Sequence, residues 1–245
     1  MSRPTYDDAP VPIRAESPAA HQDTWRRIAR PGTWLDGKMR VAIAAETRNA
    51  PGCALCAERK AALSPFAVQG IHDGLGALPE AMIEVIHRIV TDPARLRRQW
   101  YADQLAGGLA ETEYVEIVGV VCSTVSVDTF AKAIGAARPD LPEPEPGAPS
   151  RHRPDGIKPG DAWVPWLAPE DAGPAEADLY EFGAANIRRA LSSVPDEQRN
   201  FFGLVSAQYL PGAEMRNAGT TVRSISRSQI ELVAGRVSAL NQCVY

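Results

Sequence analysis

The chain has 245 residues, with 26 Lys and Arg set against 30 Asp and Glu for a net charge of -4. That length can bury a substantial core in one large or two small domains, and 44% hydrophobic with 23% charged residues is an ordinary globular balance. The slightly acidic balance offers no broad basic field for phosphate backbones or anionic lipid, so neither nucleic acid nor a membrane surface is an expected partner.

Residues 1–20 hold Pro4, Pro10, Pro12 and Pro18 and little apolar surface, which predicts a flexible arm. The same stretch lacks the apolar run of a signal sequence. No later stretch is expected to reach the roughly 20 apolar residues that cross a bilayer, so the expected location is cytoplasmic. A first helical unit is predicted over 21–137. It begins with TWRRIA and GKMRVAIAAETR and continues into PEAMIEVIHRIVTD, where Ile83, Ile86 and Val90 share a face. Asp92-Pro93 then predicts a helix opening for ARLRRQWYADQLA, which stops at Gly107-Gly108. In TEYVEIVGVVCSTVSVDTFAKAIG the β-branched run suits a strand, but its length and helical flanks favour a buried helix.

Residues 138–176 form a predicted connector, because ten of the 21 prolines fall between Pro139 and Pro174. Its tryptophans, Trp163 and Trp166, predict that its later part packs against the protein. Helices resume over 177–245 with ADLYEFGAANIRRALSSV, PDEQRNFFGLVSAQYL and SRSQIELVAGRVSALN, the last capped from Ser226.

The four cysteines, Cys53, Cys56, Cys122 and Cys243, read in a reducing compartment as catalytic, metal-binding or buried rather than disulfide-bonded. Cys53-Ala-Leu-Cys56 is a complete Cys-x-x-Cys, in which one thiolate attacks while the other resolves. The same spacing also fits two small buried residues beside a helix break. Zinc would need another close ligand pair. His72 and His87 stand too far apart in sequence to look like one, so no metal or organic cofactor is expected. His87, on an apolar helix, reads as a satisfied core histidine, and His72 lies in the loop QGIHDGLG. Arg95, Arg97 and Arg98 read as a solvated helix face, Cys122 as core, and Asp128 and the Arg188-Arg189 pair have no assigned chemistry.

Glu231 stands twelve residues before Cys243 on the helix ELVAGRVSALN. With Arg236, Val237, Ser238, Ala239, Leu240, Asn241 and Cys243, it resembles the alkyl hydroperoxidase D and carboxymuconolactone decarboxylase-like proteins. The hydroperoxidase signature of that family is Glu, eleven residues, Cys-x-x-Cys, three residues, His. EYVEIVGVVCSTVSVDTFAKAIG is similar to the family's closing helix. The resemblance implies an all-α bundle of two related helical units, assembled as a homo-oligomer. It also implies thiol- or selenol-dependent reduction of a small peroxide or disulfide, with electrons from a dithiol donor. Cys243 would then be the resolving thiol and Glu231 the relay carboxylate.

The pattern departs from the family at the end, where the second cysteine would follow Tyr245 directly. Because selenocysteine is encoded by a codon commonly read as stop, the expectation is a Cys-x-x-selenocysteine motif cut before its attacking residue. A truncation, a frameshifted remnant or a natural terminus with a buried Cys243 are the other readings. As written, Cys243 is expected to lack peroxidase activity, and any activity must come from Cys53 and Cys56.

Setting Cys53 on Cys243 aligns RVAIAAETRNAPGCALC with IELVAGRVSALNQCVY and suggests an internal repeat. In that alignment Val41 takes the glutamate position and Lys60 the histidine position, so Glu46, Glu58, His72 or His87 would have to supply the relay. A decarboxylase or isomerase of the carboxymuconolactone type, and a non-catalytic helical scaffold, are the competing functions.

Overall fold

A computed structural model describes residues 4–181, 183–217, 219, 223–241 and 243. The segment after Cys243, on which the expected interruption of the motif turns, lies outside the described residues. The chain is mostly helical, as expected. Its first half supplies α1 (Glu16–Ala29), α2 (Gly37–Asn49), α3 (Ala54–Ala61), α4 (Glu80–Thr91), α5 (Arg98–Ala106) and α6 (Glu111–Ala133).

The apolar face of α4 carries Met82, Ile83, Val85 and Ile86 against α2 and α6, so the periodicity seen in the sequence becomes the centre of the core. The β-branched run is helical, as predicted, because α6 is enclosed by α2, α4 and α8 and needs no sheet partner. Alone among the described residues, α6 is long and apolar enough to cross a membrane, a length the sequence was not expected to contain. Of its most apolar window, 61% is buried inside the fold, as in a core helix.

Two helix predictions shift: ADLYEFGAANIRRALSSV holds only a 3-10 segment ending at Tyr180 and the short helix Asn186–Arg189, and the helix expected from Asp92 starts late. Asp92 does not cap a helix beginning at Pro93. Its carboxylate accepts from Arg88 and Arg95, residues 93–95 form a single 3-10 turn, and α5 begins only at Arg98. Arg95 is not merely solvated either. It donates to the carbonyls of Arg59, Lys60 and Ala62 and thereby closes the C-terminal end of α3. The segment expected to be a flexible arm is partly ordered. α1 starts at Glu16, and Tyr6 is buried against His21 and Phe130.

The connector lies along the surface as an extended strap. Glu145, Ser150 and Arg151 donate backbone N–H groups to the carbonyls of Ala29, Gly32 and Thr33. It then forms a small antiparallel pair, β1 (Ile157–Lys158) and β2 (Trp166–Leu167). Trp163 packs beside Tyr101, and Arg189 lies over Trp166, so both tryptophans are held as expected.

Beyond the strap come α7 (Asn186–Arg189), α8 (Pro195–Gln208), α9 (Gly212–Met215) and α10 (Arg227–Leu240). α8 does not found a second core. It packs on α1 and α6, and Leu191, Val194 and Leu204 belong to the same apolar cluster as Ile43, Ile86 and Ile117. α10 is capped as predicted: Ser226 Oγ accepts from the Gln229 N–H, and the Gln229 side chain accepts from the Ser226 N–H. It buries Ile230 and leaves Leu232, Val233, Val237 and Leu240 exposed.

α2, α6 and α8 meet at a buried charge cluster. Arg40 donates to Glu116 and, at 2.7 Å, to Glu197, and Glu116 also accepts from the Trp34 N–H at 2.6 Å. Gly32 and Gly119 make room, since a side chain at either position would run into the Glu116 or Glu197 carboxylate. Burial, opposed by Arg40 and reinforced by Glu197, pushes the Glu116 carboxyl up to about 7. Removing the single cation would strand two carboxylates in the core. Arg40→Ala is therefore expected to destabilise the protein by about 3–5 kcal/mol, read as a lowered urea midpoint.

A second buried polar group makes stability depend on pH. His21 is enclosed, with Tyr6 Oη 2.6 Å from Nδ1 and Gln208 Nε2 2.8 Å from Nε2. The Gln208 amide donates to Nε2, so the neutral ring donates from Nδ1 to Tyr6. Burial lowers the His21 pKa from 6.5 to about 4. The unfolded chain therefore takes up this proton first, so the contribution of neutral His21 is complete above pH 6.5 and is lost as pH falls toward 4. Urea titrations between these limits are expected to show a steeper loss of stability in the wild type than in His21→Gln, by on the order of 3 kcal/mol across the window.

Candidate functional site

The end of α2 and its continuation set the first part of the site. Glu46 lies on the buried face of α2, along with Arg40, Ile43, Ala44 and Thr47. Pro51 and Gly52 then end the helix through a 3-10 turn. Cys53 follows in extended conformation as the N-cap of α3, which places Cys56 in the first turn of that helix. The free N–H of Ala54 is satisfied from a distance by Asp73, whose Oδ2 accepts it at 2.7 Å. A thiol in this first turn sits where the helix dipole favours the thiolate.

The loop that follows α3 turns back across the cysteines and delivers His72, while α4 delivers Glu84 and His87. His72 Nδ1 lies 3.4 Å from Cys53 Sγ and 3.5 Å from Cys56 Sγ. His87 Nδ1 lies 3.3 Å from Cys56 Sγ. Each ring points its other nitrogen at a carboxylate: His72 Nε2 donates to Glu84 and His87 Nε2 to Glu46, both at 2.7 Å. The two rings lie 4.3 Å apart, and the two sulfurs and two imidazole nitrogens all fall within 4.8 Å of one another. Both cysteines and His87 are buried, and only 4% of the His72 side chain is exposed.

An outer layer of polar groups holds the carboxylates. Glu84 accepts from Arg59 at 2.7 Å and from the Trp100 indole at 2.9 Å. Glu46 accepts from Asn49 and from the Leu75 N–H, both at 2.9 Å. Arg59 also donates to the Val68 carbonyl and Asn49 to the Asp73 carbonyl, which ties the His72 loop to α2 and α3.

The electrostatics follow from these contacts. Burial opposes charge on Cys56, but hydrogen bonds from His72 and His87 outweigh it and bring the thiol down to about 6. Cys53 is lowered against its burial by backbone hydrogen bonds and by His72. His72 is raised to about 10, since its bonds to Cys56 and Glu84 overcome burial, and His87 is raised for the corresponding reason with Cys56 and Glu46. Glu84 falls to about 2, held ionised against burial by His72, Arg59 and Trp100. The contacts thus favour the charged forms of thiol, imidazole and carboxylate together.

The structure brings Cys53 and Cys56 together with two of the four proposed substitutes for the relay, His72 and His87, and with a third, Glu46. Glu58 is exposed and takes no part. His72 and His87, too far apart in sequence to look like a ligand pair, are brought together by loop closure and helix packing across fifteen residues. His87 is buried and hydrogen-bonded, as a core histidine would be, yet the cysteine is one of its partners. Glu84 was not singled out by sequence. The available signal was its place three residues before His87, on the same side of the helix.

Glu231 and Cys243 lie outside this cluster. Glu231 accepts from Tyr209 at 2.9 Å and from Arg227 at 2.6 Å, and Cys243 is exposed just past α10. Cys122 is partly exposed, and Asp128 binds Arg48 through both oxygens.

Fold and site together define a helical protein with an enclosed cluster of two cysteines and two carboxylate-backed histidines. No protein-family model, no curated protein and no solved structure matches the chain.

Glu84 anchors the outer layer, and its removal would leave the buried Trp100 indole and Arg59 without their acceptor. Glu84→Ala is expected to cost about 1–3 kcal/mol of stability, with Glu84→Gln costing less, as measured by urea unfolding of the two variants.

Proposed function

We propose that this chain is a thiol-dependent oxidoreductase of the alkyl hydroperoxidase-like kind, reducing a small peroxide or disulfide at Cys56 and Cys53. The observation that supports this reading is the convergence of two carboxylate–imidazole pairs, Glu46–His87 and Glu84–His72, on the Cys56 sulfur. In the family that α10 resembles, the second cysteine of Cys-x-x-Cys attacks and the first resolves. That order makes Cys56 the nucleophile and Cys53 the resolving thiol.

With a hydroperoxide, the Cys56 thiolate attacks the terminal oxygen and the O–O bond breaks. The alcohol leaves with a proton from an adjacent imidazolium, and Cys56 becomes a sulfenic acid. The Cys53 thiolate then attacks that sulfur, forming the Cys53–Cys56 disulfide and expelling hydroxide, which leaves as water after protonation by the second imidazolium. Two electrons from an external dithiol restore both thiols and return two protons. The carboxylates hold each ring in register and stabilise its charged form. Enclosure of both sulfurs favours a substrate as small as hydrogen peroxide or a short alkyl hydroperoxide.

Peroxide consumption with excess dithiothreitol, measured on metal-free protein, tests the proposal. Cys56→Ser is expected to abolish turnover, and Cys53→Ser to trap a Cys56 sulfenic acid that reacts with dimedone. His87→Gln is expected to lower the rate about 100-fold or more, and Cys122→Ser to leave it unchanged. Unaltered turnover in Cys56→Ser, or its loss in Cys243→Ser alone, would move the chemistry to α10 and overturn the assignment.

A further inference from the structure

The geometry points to a second property of the same four side chains: they form a tetrahedral site for one zinc ion, and occupancy of that site switches the thiols off. The binding claim does not depend on turnover, and only its inhibitory consequence rests on the redox reading.

Edge lengths provide the first argument. With bonds of about 2.3 Å to sulfur and about 2.0–2.1 Å to nitrogen, a tetrahedral zinc centre needs sulfur-to-nitrogen edges of roughly 3.5 Å. The three such edges recorded here are 3.3, 3.4 and 3.5 Å. Small adjustments within the cluster would therefore admit an ion at its centre.

The orientation of the rings provides the second. Both histidines turn Nδ1 inward and give Nε2 to a carboxylate, the arrangement that fixes a ligating imidazole's tautomer and raises its basicity. Two such pairs meeting at one centre are also what two histidine ligands require. The carboxylates are themselves anchored by Arg59, Trp100, Asn49 and the Leu75 N–H.

The donor set selects the ion. Two thiolates and two imidazoles favour zinc over calcium or magnesium, which prefer oxygen. Two thiolates also neutralise the charge of a divalent ion, so no net charge is added to the buried centre. Because all four ligands come from the protein, the site has the closed character of a structural or storage centre with no open position for substrate. With zinc bound, both sulfurs would be coordinated, and electron density shared with the ion would lower the nucleophilicity of Cys56 toward a peroxide. Removal of the ion returns the dithiol.

Protein reduced with a phosphine, stripped with chelator and desalted would be titrated with zinc against a chromophoric competitor, and separately with cobalt(II). The expected result is one zinc per chain with a dissociation constant below a micromolar. Cobalt is expected to give the strong visible d–d bands of a tetrahedral centre and a near-ultraviolet sulfur-to-metal charge-transfer band. Cys53→Ser, Cys56→Ser, His72→Ala and His87→Ala should each lose the tetrahedral spectrum. Glu84→Gln should keep it with affinity 10- to 100-fold weaker. Circular dichroism of each variant separates ligand loss from unfolding.

Octahedral cobalt bands, or zinc affinity unchanged in a folded Cys56→Ser, would overturn the inference. Stripped protein that consumes peroxide but binds no zinc overturns this inference and leaves the redox proposal standing. Protein that binds zinc tetrahedrally but, stripped, consumes no peroxide supports the site and overturns the redox proposal. Protein that does both and regains turnover on chelation supports the switch.

Discussion

Much of the structure hangs on the burial of one guanidinium. Arg40 is nearly inaccessible at the junction of α2, α6 and α8, and the charge holding it in place comes from Glu116 and Glu197, 76 and 157 residues away. Such a cluster contributes little net stability over an apolar replacement, but it tolerates only one alignment of the three helices. Gly32 and Gly119 exist at this junction to let the carboxylates approach. The rotation of α2 is thereby fixed, and with it the direction of every other residue on its buried face.

That rotation reaches the cysteine cluster through six residues of the same helix. Glu46 shares the buried face with Arg40, so pinning Arg40 also aims Glu46 at α4, where it meets His87. The helix then breaks at Pro51 and Gly52, and the chain restarts as α3 with Cys53 and Cys56 at its beginning. A break without a cap would leave free amides. Asp73 supplies the missing acceptor, and in doing so fastens the loop that carries His72. The two polar clusters are linked through α2 rather than by hydrogen bonds, and in each the buried charged side chains face partners of opposite charge.

The local parts of this arrangement were legible in the sequence because they are written in neighbouring residues. The apolar stripe of α4, the Cys53-x-x-Cys56 spacing, the cap at Ser226 and the proline-rich strap all declare themselves within one or two turns. The cluster does not. Glu46 and His87 are 41 residues apart, and no periodicity or spacing encodes a contact made by helix packing and loop closure. The same reason hid Arg95, whose partners are the carbonyls at the end of α3, and made the strap look like a boundary between two cores. In three dimensions α8 returns to the first core because its own Leu204, with Val194 just before it, completes the cover of α1 and α6.

The likeness between the α2–Cys53 and α10–Cys243 segments can now be stated in physical terms. Both run from a helix through a short break to a cysteine. They differ in which face is spoken for. Glu231 stands twelve residues before its cysteine, and the matching position on α2, Val41, packs against the core instead. Glu46 lies five residues further on, which at about 100° per residue turns it well away from Val41 around the helix. A carboxylate at that angle meets a histidine from α4 rather than one following the cysteines on its own helix. The carboxylate of the first segment therefore sits on another face of its helix, and the histidine it meets comes from α4. Two imidazoles, each held by its own carboxylate, thus meet the two sulfurs at one centre.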